Sequence, residues 1–196
     1  MSVPQPAAVQ PLRVAVITAS TRVGRFAPTV TDWYTAIART RPDMDLDLID
    51  LAATELPAVI DFTAADPRVV AFNERIQNAD AFVVVTGEYN RSIPAALKHA
   101  LDLVPTAWRA KPVAVVSYGG ISGGLRAAEH LRQIFGELHA HTVRNSVSLH
   151  NALTCFDDTG RPHDTASDTA AEEQLDQLAW WGTALRNART THPYQG

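Results

Sequence analysis

The chain is short of cysteine, of excess basic charge and of long apolar runs, and each shortage removes a class of protein. Its one cysteine, Cys155, has no internal partner, so no disulfide framework is open to it and nothing suggests an oxidising compartment. Lysine and arginine number 17 against 21 acidic residues, a net charge of -4. A nucleic-acid binder would need a basic surface to neutralise phosphates. No stretch approaches the apolar length that spans a bilayer. The first eleven residues, MSVPQPAAVQP, carry three prolines and no hydrophobic run, unlike a secretory signal. They are expected to form a disordered arm and residues 191–196 a frayed tail, flanking one domain over 12–190. A cytoplasmic protein is the expectation.

What the chain does hold is apolar material for one sizeable core, 46% of its 196 residues. Five short apolar runs stand out, each followed by a helical pattern. Leu12–Thr18 is rich in β-branched residues, as buried parallel strands are. Phe26, Val30, Trp33, Tyr34 and Ile37 then recur at helical spacing, to about Arg39. Met44–Leu51 alternates apolar and acidic residues like a half-covered strand near a sheet edge. Asp66-Pro67 opens a helix reaching about Asn78. Ala81–Thr86 is the most apolar run and reads as a central strand, followed by a helix over Ser92–Val104. Pro112–Ser117 is a fourth strand, and Leu125, Ala128, Leu131 and Phe135 mark the face of the next helix. Thr142–Leu149 is expected as one fifth strand, 150–167 as a polar loop, and Leu175, Leu178 and Leu185 as a terminal helix. Strict alternation of strand and helix predicts an α/β fold: a flavodoxin-like three-layer sandwich whose five-stranded parallel sheet has order 2-1-3-4-5, with helices on both faces. In such folds ligands sit at the carboxyl ends of the strands.

Three loops fall at that edge. The first, Thr18–Arg25, joins hydroxyls, two arginines and the N–H groups of a helix start, which suits a phosphate. Read alone, it equally fits an ordinary cap with solvent-facing arginines. With only Gly24 it lacks the three glycines of a dinucleotide fingerprint, and no lysine completes a P-loop. The second, Gly87–Pro94, offers the aromatic face of Tyr89 and the amide of Asn90; alone it reads as a turn with a surface tyrosine. The third, Ser117–Gly124, has four glycines in eight residues, which permits close backbone approach to a flat ligand or simply a flexible connection.

Taken together, the three loops resemble the NADPH-dependent FMN reductase family. Ala19-Ser20-Thr21-Arg22 followed by Gly24-Arg25 matches its first motif, and Glu88-Tyr89-Asn90-Arg91-Ser92, with Pro94, Leu97, Lys98, Ala100 and Asp102 behind it, matches its second. Ser117, Gly119, Gly120, Gly123, Gly124, Arg126 and Ala127 match the third. The likeness runs from about Arg13 to Leu149. Three positions depart from the pattern. Ala19 stands for a usual glycine, Gly87 for a usual proline and His99 for a common asparagine; the glycine at 87 is expected to loosen the second loop.

The resemblance implies bound FMN, with NADPH or NADH as electron donor and a small acceptor such as a quinone, azo compound, metal oxyanion or free flavin. It implies that Ser20, Arg22 and Arg25 hold the phosphate, with Phe26 at the start of the helix behind them. Glu88, Tyr89, Asn90, Arg91 and Ser92 would edge the ribityl chain and ring, and Ser117, Tyr118, Gly119, Gly120 and Gly123 would support the ring's other side. A ping-pong exchange needs no protein acid or base, so no catalytic side chain is assigned. The alternatives are a non-enzymatic electron carrier of the flavodoxin type, which would be more acidic and lack Arg22, and a flavin-binding regulatory protein. Family members associate as dimers or tetramers; Trp108 is a candidate contact or a residue packed on its own helix. His139 and His141 alternate toward one side, but no cysteine or carboxylate is spaced as a third ligand, so no metal is expected. Asp45, Asp47 and Asp50 read as a solvated strand face.

Overall fold

The computed structural model describes residues 10–196, so most of the expected N-terminal arm lies outside the described residues. The β-branched runs form β1 (Leu12–Thr18), β2 (Met44–Asp50), β3 (Ala81–Gly87) and β4 (Pro112–Tyr118). All are parallel, and β3 and β4 are buried along their whole length. Between them lie α1 (Ala27–Ala38), α2 (Pro67–Asn78) and α3 (Ala95–Leu103); α4 (Leu125–Glu137) follows β4. Strand order is β2-β1-β3-β4 and then the fifth position, the doubly wound order expected.

The sheet divides the core in two. Trp33 and Tyr34 of α1 and Leu175 and Leu178 of α6 (Ala166–Thr191) cover one face with Val14, Val16 and Val83. Phe72 and Ile76 of α2, Leu97 and Leu101 of α3 and Leu131 and Phe135 of α4 cover the other with Ile17, Ile49, Phe82 and Val84. Successive strand residues point to opposite faces, so each strand feeds both layers. Trp108, offered above as a subunit contact, belongs to the second layer: it is fully buried, its ring 4.7 Å from that of Phe82 and 5.7 Å from that of Phe135. No helix among the described residues is long and apolar enough to cross a membrane.

The fifth strand differs from expectation. It is two short pieces, β5 (His141–Thr142) against the start of β4 and β6 (Val147–Leu149) against its end. Gln174 of α6 fills the gap. Its Nε2 donates to the carbonyls of Val115 and Asn145, both at 2.9 Å, and its Oε1 accepts from Tyr34 Oη at 2.8 Å. A buried amide thus replaces the ladder bond that the break removes. The polar segment after β6 also contains a helical turn, α5 (Ala152–Cys155).

The acidic residues of β2 are not merely solvated: Asp47 pairs with Arg75 and Asp50 with Arg25. His139 and His141 part company. The first hydrogen-bonds Tyr194 Oη through Nδ1 at 2.7 Å, and the second lies on Trp181, centroids 4.1 Å apart.

Candidate functional site

A cavity of about 680 Å³ opens at the carboxyl ends of β1, β3 and β4, within the range of small-molecule and cofactor sites. Of the residues singled out from sequence, Ser20, Arg22, Phe26, Glu88, Tyr89, Asn90, Tyr118, Gly119 and Gly120 line it. Arg25, Arg91, Ser92, Ser117 and Gly123 do not, and each has other work or another place.

Arg25 turns back into the protein. Its Nη1 donates to the Ser20 carbonyl and to Asp50 Oδ1, both at 2.6 Å, and its Nη2 takes the other carboxylate oxygen. It therefore braces the first loop against the end of β2. The same hydrogen bonds hold the Asp50 carboxyl below its ordinary range, against the opposing effect of burial. A carboxylate with a depressed folded pKa adds stability above its unfolded value near 4, and the contribution is lost as pH falls through the lower folded value. Asp50→Asn should accordingly cost about 1 kcal/mol at neutral pH, a figure discounted because the carboxylate is 37% exposed. Urea melts of variant and parent should converge only as pH falls below the lowered folded value, where both side chains are neutral; an undiminished gap there contradicts the account.

Arg22 is different. It lines the cavity, and none of the ion pairs among the described residues involves it. Beside it α1 begins at Ala27 with no side-chain cap on its N-terminus, which leaves the positive end of the helix to an anion. Thr18 Oγ1 and Thr31 Oγ1, 2.9 Å apart, tie the strand end to that helix.

The second loop turns through Asn90 and Arg91, whose φ values of 49° and 70° are left-handed, with Tyr89 and Ser92 exchanging backbone hydrogen bonds. The turn lifts Tyr89 and Asn90 onto the cavity and leaves Arg91 exposed. Ser92 faces away, its Oγ 2.8 Å from His130 Nδ1 on α4. Tyr89 Oη lies 2.6 Å from Ser20 Oγ, which joins the first two loops. Glu88 joins the second to the third. Its carboxylate accepts from Arg126 Nη1 at 2.7 Å and from the Arg126 backbone N–H at 3.1 Å, so it caps α4. Burial pushes its pKa up, but the hydrogen bonds from Arg126 and Ser122 outweigh it and the group titrates below its ordinary value. The one carboxylate lining the cavity is thus ionised and engaged.

In the third loop Ser117 is buried and donates to the Gly123 carbonyl at 3.0 Å. It shapes the turn from beneath. Gly87 is not the loose joint expected from sequence: the Tyr118 ring occupies the space beside it. Burial is the main reason that the Tyr118 phenol is raised to about 12.

Sequence reasoning missed a fourth wall. Asn151, Ala152, Leu153 and Thr154 line the cavity together with Gly87. The N–H groups of Asn151 and Ala152 donate to the carbonyls of Gly120 and Gly119, both at 2.9 Å, so the wall is stitched to the glycine-rich loop. The signal was available. The segment after the fifth strand must emerge at the same edge as the other three loops, and Ala152-Leu153 is an apolar pair inside a polar stretch.

Hydroxyls, an unpaired arginine and an open helix end stand at one side of the cavity, and small, flat-walled backbone at another. This donor set fits a phosphorylated planar cofactor such as FMN. Comparison with known proteins points the same way. The family model for NADPH-dependent FMN reductase matches residues 12–154. An NAD(P)H-dependent FMN reductase of Pseudomonas aeruginosa is 32% identical over 158 residues, 77% of this chain and 85% of that one. An NADPH:quinone oxidoreductase of Arabidopsis thaliana is 35% identical over 162 residues, 74% and 78% of the two chains. Among solved structures, FerB, a flavoenzyme NAD(P)H:(acceptor) oxidoreductase of Paracoccus denitrificans, superposes with a TM-score of 0.74 at 22% identity, covering 88% of this chain and 98% of that one. The chain belongs to the NADPH-dependent FMN reductase family, and is an FMN-dependent, NAD(P)H-oxidising enzyme.

Proposed function

We propose that this oxidoreductase carries electrons from NAD(P)H to a small acceptor (a quinone, azo compound, metal oxyanion or free flavin) in two successive half-reactions at one site. The observation that carries the reading is that one open cavity at the strand ends is walled by all four loops. A donor and an acceptor that use one opening do so in turn. FMN, when bound, supplies the hydride chemistry; the protein's part is position, charge and exclusion of water.

Arg22, the Ser20 and Tyr89 hydroxyls and the N-terminus of α1 would hold the phosphate. Asn90 and the backbone of the second loop would edge the ribityl chain, and Gly119 and Gly120 would admit the ring at backbone distance. Ala152 and Leu153 would keep water from its outer side. Arg25, Ser92, Ser117 and Gly123 would act by holding these loops in place, and Arg91 by completing the turn. With Glu88 committed to Arg126 and Tyr118 titrating near 12, no side chain of the cavity is offered as a proton donor, and the scheme asks for none. We read residues 12–190 as one flavin-binding domain of a cytoplasmic homodimer or homotetramer, on the family likeness; a monomer by light scattering at micromolar concentration contradicts the assembly.

The test is anaerobic. NADPH or NADH alone should abolish the visible absorbance of protein-bound FMN, and a benzoquinone added afterwards should restore it, with parallel double-reciprocal lines in the steady state. Bound flavin that neither nucleotide bleaches would favour an electron carrier or regulator and sink the proposal. Arg22→Ala should weaken FMN binding by about 1.5–3 kcal/mol, the scale of a hydrogen bond to a charged group. Riboflavin titration is the control, and unchanged FMN affinity would show that Arg22 points elsewhere.

A further inference from the structure

β3 and β4 end side by side, with Gly87 opposite Tyr118 in the parallel register. A Cβ placed on Gly87 would stand 3.0 Å from Cε2, 3.1 Å from Cζ and 3.2 Å from Oη of Tyr118. It is the phenol end of the ring that lies over the glycine, so Tyr118 reaches across the neighbouring strand toward the loop after β1. Phe26 braces the ring edge-on at 6.4 Å. Gly87 is not one of the residues with positive φ. What this position requires of glycine is therefore space, not backbone freedom.

The reach has a destination. Tyr118 lines the cavity together with Ser20, Arg22 and Tyr89, and Ser20 Oγ is 2.6 Å from Tyr89 Oη. A phenol from the end of β4 and one from the loop after β3 thus stand in one cavity with Ser20 and Arg22. Each hydroxyl has one proton, given to its neighbour or, on rotating, to an anion.

We propose that Gly87 is a positioning residue that sets the preference of the site for a phosphate-terminated flavin. By leaving room for the Tyr118 ring it completes a donor set of three hydroxyls, Ser20, Tyr89 and Tyr118, next to the Arg22 guanidinium. A phosphate dianion accepts from several such donors at once, whereas the uncharged terminal hydroxyl of riboflavin accepts from few. The proposal rests on the flavin-binding reading above and extends it to the choice between FMN and riboflavin.

Dissociation constants for FMN and riboflavin, from quenching of flavin fluorescence, test it in the unmutated chain and in Gly87→Ala, Tyr118→Ala, the double variant and Tyr118→Phe. Gly87→Ala is expected to weaken FMN about tenfold, the loss of a good hydrogen-bond contact, and to leave riboflavin within about twofold. Tyr118→Phe, which keeps the ring and removes the hydroxyl, should lower the FMN-to-riboflavin preference in the same direction. In the Tyr118→Ala background, Gly87→Ala should have no further effect, because the ring it displaces is already gone. An equal loss from Gly87→Ala in both backgrounds would assign the effect to the backbone and overturn the proposal. So would a parallel loss of FMN and riboflavin, or an unchanged preference in Tyr118→Phe, which remains informative if Gly87→Ala does not fold. An unmutated chain that binds neither flavin overturns the flavin reading itself and the proposal with it, and is told apart by that first measurement.

Discussion

Gln174→Leu should lower the unfolding free energy by about 3–5 kcal/mol, although the side chains are close in volume and residue 174 lies outside the cavity. The amide makes three hydrogen bonds, two of them buried and the one to Asn145 partly so. Leucine leaves the Tyr34 hydroxyl and the carbonyls of Val115 and Asn145 without partners, and each orphan costs about 1–3 kcal/mol. Apolar burial by leucine returns only part of that. A domain of this size has about 5–15 kcal/mol in hand, so the variant should fold but melt roughly 10 °C lower. A loss under about 1 kcal/mol would mean that water reaches the strand break and satisfies the groups that leucine abandons.

Gly124→Ala should be comparably costly and should take the cavity with it. Gly124 has φ of +83°, and a Cβ there would lie 2.7 Å from Ser117 Cβ and 2.8 Å from the Tyr118 backbone nitrogen. The left-handed conformation costs an alanine about 1–2 kcal/mol, and a clash with backbone cannot be relieved by a rotamer change, adding about 1–3 kcal/mol. The loop must instead move away from the end of β4, carrying Gly119 and Gly120 with it. The expected result is a loss of about 2–5 kcal/mol in stability together with loss of both FMN and riboflavin binding. Retention of either flavin at parental affinity would show that the loop tolerates the shift. The dual loss separates this glycine from Gly87, whose substitution is expected to spare riboflavin.

Most of the architecture was legible in the chain. β1 to β4 and the helices between them follow from short β-branched runs and 3.6-residue spacing, and parallel order follows from their alternation. The break in the fifth strand was not legible, because Val143, Val147 and Leu149 keep one apolar step on both sides of it, interrupted only by Asn145. What satisfies the backbone at the break is Gln174, which is remote in sequence and looks like any polar helix residue. The start of α3 at Ala95 rather than Ser92 has a similar cause, since nothing in Arg91 announces a φ of 70°. In the site, residue types identified the right loops but not the direction of every side chain. Arg22 and Arg25 look alike in sequence. Only the fold brings Asp50 to the second and leaves the first on the cavity. The fourth wall was missed because its residues have no distinctive chemistry and matter by where the chain leaves the sheet.

The stitching of that wall has a consequence for traffic. Gly119 donates to the Leu149 carbonyl while Asn151 and Ala152 donate back to Gly120 and Gly119, so the glycine-rich loop and the segment after β6 can only move as one jaw. The facing jaw has no such lacing at Arg22 and Val23, which are exposed. A molecule entering or leaving is therefore expected to pass on the arginine side, and slow amide exchange at Gly119, Asn151 and Ala152 beside fast exchange around Val23 would be the signature of a door hinged on one side only.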